Sequence, residues 1–183
     1  MSKYIFVMGG VISGCGKGIS AASIGLLLKM RGLKIQIVKF DGYLSTNAGI
    51  LSPHEHGECW VCDDGSETDL DLGSYSRLAG IDVSATNILT NGTLYKELLE
   101  DIDNGKYMGK TVQIIPEVTN KIQDKFITLS DGYDVLIVEI GGTVGDLESA
   151  AYLEAIRQFK QKRNDDVMLV MVAPILWVPT IKE

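Results

Sequence analysis

Hydrophobic positions along the chain form short unbroken runs, separated by longer stretches in which apolar residues recur every three or four positions. The runs at residues 5–7, 35–40, 112–115, 135–138 and 167–172 are rich in Val and Ile and alternate little with polar residues. Strands covered on both faces have this character, so five parallel strands are expected. Ile19, Ala22, Ser23, Leu26, Leu27 and Met30 fall at helical spacing, which predicts a helix presenting that stripe inward and ending at Gly32. Val118, Ile122, Phe126 and Leu129 repeat the pattern, as do Leu153, Ile156 and Phe159. Strand alternating with helix implies an α/β fold, a Rossmann-like parallel sheet with helices on both faces. Ligands of such sheets collect at the carboxyl ends of the strands, where residues 9–17, Asp41 and Glu139 would lie.

From Gly42 to about Asn104 the rhythm lapses. This segment is rich in Gly, Ser, Thr, Asn and Asp and shows no long periodic helix before Thr93. It is too long for an idle loop in a compact domain and reads as an insertion over the carboxyl edge. No internal repeat and no low-complexity linker occurs. Residues 172–179 run straight off the last expected strand without a capping helix or polar tail, the pattern of a cut chain.

Composition narrows the class. A length of 183 residues suits one domain, and 45% hydrophobic with 22% charged residues is ordinary for a globular protein. The net charge of −7, with no basic run to offset it, argues against a nucleic-acid partner. The opening Met-Ser-Lys-Tyr lacks a signal-peptide core, no apolar run reaches membrane-spanning length, and three cysteines suit reduced thiols. A cytoplasmic protein without a membrane partner is expected.

The densest chemistry lies in Phe6-Val7-Met8-Gly9-Gly10-Val11-Ile12-Ser13-Gly14-Cys15-Gly16-Lys17-Gly18, a strand, a glycine-rich loop and a helix start. Backbone N–H groups in such a loop converge on an anion, the helix N-terminus adds partial positive charge, and Lys17 reaches the outer phosphates. The general phosphate-loop spacing is not met: five residues separate Gly10 from Gly16, and Gly18 stands where a magnesium-binding hydroxyl is usual. A glycine-rich turn packed closely on a sheet is the competing reading. Glu139 follows a buried apolar run and precedes Gly141-Gly142, a position where a carboxylate meets a metal or orients water; capping a neighbouring helix is the alternative. Residues 63–71 carry five carboxylates, readable as magnesium ligands or as a solvated acidic loop, and lack the calcium-loop pattern.

His54, His56, Cys59 and Cys62 invite a zinc reading, but on a strand the two cysteines face opposite sides and Trp60-Val61 is no knuckle turn. Serine hydrolysis is unsupported, because no Gly-x-Ser-x-Gly elbow exists. Cys15 reads as a loop filler, although surrounding N–H groups could lower its pKa.

Several blocks together resemble the synthetase (amidoligase) domain of the CTP synthases. They are Gly9-Gly10-Val11-Ile12-Ser13 leading into Gly16-Lys17-Gly18, Lys39, Ser52-Pro53 with His56-Gly57-Glu58, and Asp64-Gly65 with Glu67-Thr68-Asp69-Leu70-Asp71-Leu72-Gly73 and Tyr75. Thr111-Val112-Gln113 with Pro116 and Val138-Glu139-Ile140-Gly141-Gly142-Thr143-Val144-Gly145-Asp146 with Glu148-Ser149 complete the set. The resemblance runs from residue 4 to about 160 in family order, and Gly18 is normal for that family. It implies that ATP phosphorylates the 4-oxygen of UTP and that ammonia then displaces the phosphate to give CTP.

Carried over residue by residue, Gly14, Cys15, Gly16, Lys17, Gly18 and Ile19 would surround the ATP phosphates, with Lys17 stabilising the transferring charge. Asp71 and Glu139 would hold Mg2+, and Asp71 would also touch ATP. Ser13, Asp146, Leu147 and Glu148 would line the UTP/CTP pocket, with Gln113 and a catalytic Lys39 nearby. A homotetramer is the expectation for the full-length family.

The chain departs from the family pattern at Gly42, Ser45, Ser76, Thr93 and Glu117, mainly on the UTP and ammonia side. The family's lysine-rich UTP motif should follow Glu183, as should a glutaminase domain. Residues 1–183 are therefore expected to form an incomplete amidoligase domain that binds ATP without making CTP. A drifted nucleotide-binding paralogue and a phosphate-loop ligase or ATPase of the dethiobiotin synthetase type are the alternatives.

Overall fold

The computed structural model describes residues 2–10 and 12–175, apart from the side chains of Ala48, Glu55 and His56. Val11 of the glycine-rich loop and residues 176–179 of the final apolar run lie outside that description.

The elements, in chain order, are β1 (Lys3–Gly9), α1 (Lys17–Met30), β2 (Ile35–Asp41), α2 (Pro53–His56), β3 (Trp60–Val61), β4 (Glu67–Thr68), α3 (Leu70–Ser74), β5 (Ile88–Thr90), α4 (Asn91–Asp103), α5 (Thr119–Leu129), β6 (Val135–Ile140), α6 (Ala150–Lys162) and β7 (Val167–Val172). Five strands form one parallel sheet in the order β5-β2-β6-β1-β7, while β3 and β4 pair as a separate small antiparallel ribbon. The fold is the expected α/β sheet with helices on both faces.

Alternation along the central strands sorts the core into two layers. Tyr4, Phe6, Val38, Phe40, Leu136, Val138 and Ile140 meet α4, α5 and α6 through Leu94, Phe126, Tyr152 and Phe159. Phe6, Phe40, Phe126 and Phe159 interlock there, with centroids 4.8 Å apart for Phe6–Phe126 and 5.4 Å for Phe40–Phe126 and Phe126–Phe159. Ile5, Val7, Ile35, Ile37, Val135 and Ile137 face the other way, toward α1, α3 and the turn after α3.

Two sequence expectations are corrected here. The fifth strand is Ile88–Thr90, not residues 112–115. Ile114 and Ile115 are instead more than half exposed on an irregular turn ahead of α5. A three-residue edge strand buries too little to leave an apolar run, so the supposed insertion conceals part of the main sheet. The second correction concerns α1, whose buried face is Lys17, Gly18, Ala21, Ala22 and Gly25. Ile19, Leu27 and Met30 of the expected inward stripe are 58–75% exposed. Small residues let the helix axis approach the sheet closely: a Cβ on Gly25 would sit 2.8 Å from Ile37 Cδ1. The helix is apolar nearly all round, so counting large side chains chose the wrong face. It ends where expected, with Gly32 at φ 85° and its N–H on the Lys29 carbonyl.

These two faces answer oppositely to substitution. Ala22→Leu should destabilise the fold by about 1–3 kcal/mol through overpacking, whereas Leu27→Lys should stay within about 0.5 kcal/mol. Urea unfolding followed by circular dichroism checks both; equal effects would contradict the packing described.

Candidate active site

The register of the sheet creates the site. Lys39 on β2 stands directly beside Glu139 on β6, and alternation turns both toward α1, where they are 6% and 2% exposed. Charges at that depth need partners. Lys39 Nζ has three: Asp71 Oδ2 at 2.5 Å, Asp69 Oδ1 at 2.9 Å and Asp41 Oδ2 at 3.4 Å. Burial alone would lower the lysine pKa, but Asp69, Asp41, Asp71 and Glu139 outweigh it and hold the ammonium well above its ordinary value.

Asp69 also caps α3, accepting from the Asp71 N–H at 2.9 Å. The acidic stretch thus divides by environment. Asp63 and Asp64 sit exposed in a turn, Asp64 accepting from the Ser66 N–H at 3.0 Å, while Asp69 and Asp71 close on the buried lysine. Glu139 lies inside the strand rather than just after it and accepts a hydrogen bond from the Tyr75 hydroxyl. Burial, reinforced by Asp71, pushes its carboxyl up to about 7.

The glycine-rich loop joins β1 to α1 above this cluster. Gly16, at φ 88°, is the N-cap of α1; no side chain caps that end and its first turn holds no acidic residue. The first-turn N–H groups therefore remain free of side-chain acceptors and aim at the loop's concave side. Lys17 is 8% exposed, folds against Gly9 and donates to the Gly142 carbonyl at 2.8 Å. The Cys15 thiol turns to the loop's own backbone, donating to the Ile12 carbonyl at 2.9 Å.

Gly18 forms a notch. A Cβ there would stand 2.5 Å from Asp71 Oδ1 and 3.4 Å from Glu139 Oε2, so both carboxylates converge on the space a side chain would occupy. Sixty-eight positions apart in sequence, they meet at the first turn of α1. Hard oxygen donors around a gap of this size suit Mg2+, which takes one or two carboxylates and completes its shell with water and phosphate oxygens. Among the described residues no group of three or more His, Cys, Asp or Glu is arranged to hold a metal ion. Cys59, which precedes β3, is exposed, and Cys62, which follows it, is buried.

A cavity of about 540 Å³ opens over the notch at the carboxyl ends of β1, β2 and β6. Six carboxylates line it (Asp41, Asp69, Asp71, Glu139, Asp146 and Glu148) against the ammonium groups of Lys17 and Lys39. Asp146 Oδ2 accepts from the Thr143 N–H, which holds its carboxyl below the usual range. Asn91 ties the far wall together, its amide donating to the carbonyls of Gly42 and Glu148 at 2.8 Å each. Gly42 permits this approach, since a Cβ would lie 2.7 Å from Glu148 Cβ.

Of the residues expected from sequence, Ser13, Gly14, Lys17, Lys39, Asp71, Glu139, Asp146 and Glu148 share this cavity. Cys15, Gly16, Gly18 and Ile19 belong to the loop and the first turn of α1, with the Ile19 side chain 60% exposed. Leu147 is 86% exposed, and Gln113 is exposed on the turn before α5; neither lines the cavity. The expected set omits Asp69, Tyr43 and Tyr75. Asp71 and Tyr75 are four apart, the spacing of one helix face, and that was the available signal for Tyr75.

Fold and site together define a parallel α/β protein whose first loop and helix form an anion cradle beside paired, cation-seeking carboxylates. The model of the family described as CTP synthase N-terminus matches residues 3–183, and the chain belongs to that family. It is 52% identical over 182 residues to a CTP synthase of Methanococcus aeolicus, covering 99% of this chain and 34% of that protein. A CTP synthase of Methanocaldococcus jannaschii is 51% identical over 174 residues, covering 95% and 32%. The chain thus spans about a third of the length of these relatives. Among solved structures, signal recognition particle receptor FtsY from Elizabethkingia anophelis in complex with GDP aligns with a TM-score of 0.43 and 16% identity, over 92% of this chain and 40% of that one. Among the described residues, no helix is long and apolar enough to cross a membrane.

The buried lysine cluster makes a stability prediction. Lys39→Ala strands Asp69 and its neighbours without a counter-charge and should cost about 3–5 kcal/mol. Adding Asp69→Asn should recover part of that loss. Urea unfolding of both variants tests this, and a Lys39→Ala cost below about 1 kcal/mol would show that the carboxylates do not depend on it.

Proposed function

We propose that residues 1–183 form an amidoligase domain that carries the ATP-using half of a CTP-forming reaction. ATP transfers its terminal phosphoryl group to the 4-oxygen of UTP; ammonia then adds at that carbon and expels phosphate, leaving CTP. The observation that carries this reading is the Gly18 notch: two convergent carboxylates under an uncapped helix N-terminus, in a chain of the CTP synthase N-terminus family.

Electrostatics explains why each part is needed. A triphosphate entering a cavity lined by six carboxylates and two ammonium groups would be repelled unless a cation accompanied it. Asp71 and Glu139 are the residues that would hold Mg2+, and the ion would supply positive charge to offset the charge that builds on the phosphates during transfer. The N–H groups of residues 14–19 grip the phosphates, and Lys17 exchanges the Gly142 carbonyl for a phosphate oxygen. Lys39 keeps Asp71 and Asp69 fixed, so that little reorganisation accompanies the transfer.

Ser13, Asp146 and Glu148 face the UTP/CTP side of the same cavity. Gln113 and Leu147 lie away from the lining; a part for them in that pocket would come through a second copy of the chain, as in a homotetramer. The ATP-side groups come from the β1–α1 loop, the first turn of α1, strands β2 and β6 and the start of α3, all within this segment, which supports ATP and Mg2+ as the ligands it handles itself.

Calorimetric titration of ATP, with magnesium and with EDTA, tests the reading. Magnesium should tighten binding, and Lys17→Ala should weaken ATP by about 10–100-fold by removing a charge-assisted hydrogen bond. Gly18→Ala, which drives a methyl against Asp71, should weaken ATP only in the presence of magnesium. ATP affinity unaffected by Lys17→Ala would contradict the phosphate-loop assignment.

A further inference from the structure

Tyr75 has an unusual setting for a hydroxyl. Its side chain is wholly buried at the start of the turn that follows α3, packed in the core layer beneath α1. There its hydroxyl donates to Glu139 Oε2, itself on a residue only 2% exposed. The backbone explains the aim. The Tyr75 N–H caps the end of α3 on the Asp71 carbonyl, so Asp71 and Tyr75 stand one helical turn apart on one face. One short helix thus brings a carboxylate to one side of the Gly18 notch and, through Tyr75, fastens the carboxylate on the other side.

We propose that Tyr75 is a positioning residue that holds Glu139 facing Asp71 across the Gly18 notch and so sets the affinity of the site for a divalent cation. This deepens the metal reading given above and rests on it. Glu139 has like-charged Asp71 as its neighbour and could rotate away from it; a donor on Oε2 fixes the rotamer while leaving lone pairs for a cation. Loss of an outer hydrogen-bond partner from a ligating group typically lowers metal affinity 10–100-fold. The ring fills the core whatever the hydroxyl does, so Tyr75→Phe separates packing from positioning.

The test is calorimetric titration of a non-hydrolysable ATP analogue into the 183-residue chain, in magnesium and in EDTA, for the parent and for Tyr75→Phe. The parent should bind more tightly with magnesium. Tyr75→Phe should lose about tenfold of that enhancement and keep its EDTA affinity within twofold. A purely structural role would lower the thermal midpoint and both affinities together; either that pattern or an undiminished enhancement overturns the proposal. A parent with no magnesium enhancement overturns the metal reading itself, and this proposal with it. Should Tyr75→Phe not fold, 3-fluorotyrosine placed at position 75 keeps ring and hydroxyl. Its fluorine resonance should then move when magnesium is added to the nucleotide complex, and an unmoved resonance again overturns the proposal.

Discussion

A buried ammonium group organises this molecule. Lys39 sits on a central strand, and three carboxylates, from the end of β2 and from the N-terminal end of α3, come within 3.4 Å of its nitrogen. Only Asp41 is supplied by the lysine's own strand. Asp69 and Asp71 arrive from a separate segment whose Leu72, Tyr75 and Ala79 pack into the core layer beside α1, so the ion cluster joins that segment to the strand end. Removing two or more charges from water costs more than any single pairing returns, and completeness of the cluster makes the arrangement tolerable. Its gain is positional: Asp71 is held by Lys39 on one oxygen while the other points to Gly18.

Close approach is the second constraint. The first turn of α1 must come near β6 for Gly18 to meet Glu139, which forces small residues onto the buried face of the helix. Gly18, Ala21, Ala22 and Gly25 satisfy this, Ile24 and Leu28 flank them against the core, and Ile19, Leu26, Leu27 and Met30 turn outward. The same economy recurs across the cavity at Gly42 against Glu148 and at Gly141, where a Cβ would fall 2.3 Å from Asp41 Oδ1. Glycines here make room for carboxylates.

Much of this was legible in the sequence, for identifiable reasons. Central strands bury both faces and advertise themselves as Val/Ile runs, and α5 and α6 bury one stripe of large residues, so both kinds of element could be read. The edge strand Ile88–Thr90 is short and α1 packs by its smallest residues, so neither follows a rule based on bulk hydrophobicity. At the site, Lys17 stood out through its glycine-rich loop, Glu139 through its place after an apolar run and Asp71 through family resemblance, yet only the parallel register of β2 and β6 reveals that Lys39 and Glu139 are neighbours. Tyr75 carries no charge, and although its spacing from Asp71 places it on the same helix face, only the packed structure shows that its hydroxyl meets the Glu139 carboxylate.

The central claim is that Asp71 and Glu139 form one cation site beneath the glycine-rich loop. Crystals of the chain grown with a non-hydrolysable ATP analogue and Mn2+ in place of Mg2+, with data collected at the manganese edge, would locate the ion directly. The account predicts a single anomalous peak roughly 2 Å from a carboxylate oxygen of each residue and from phosphate oxygens at the start of α1. A peak bound to only one of the two carboxylates, or lying away from the Gly18 notch, would contradict it.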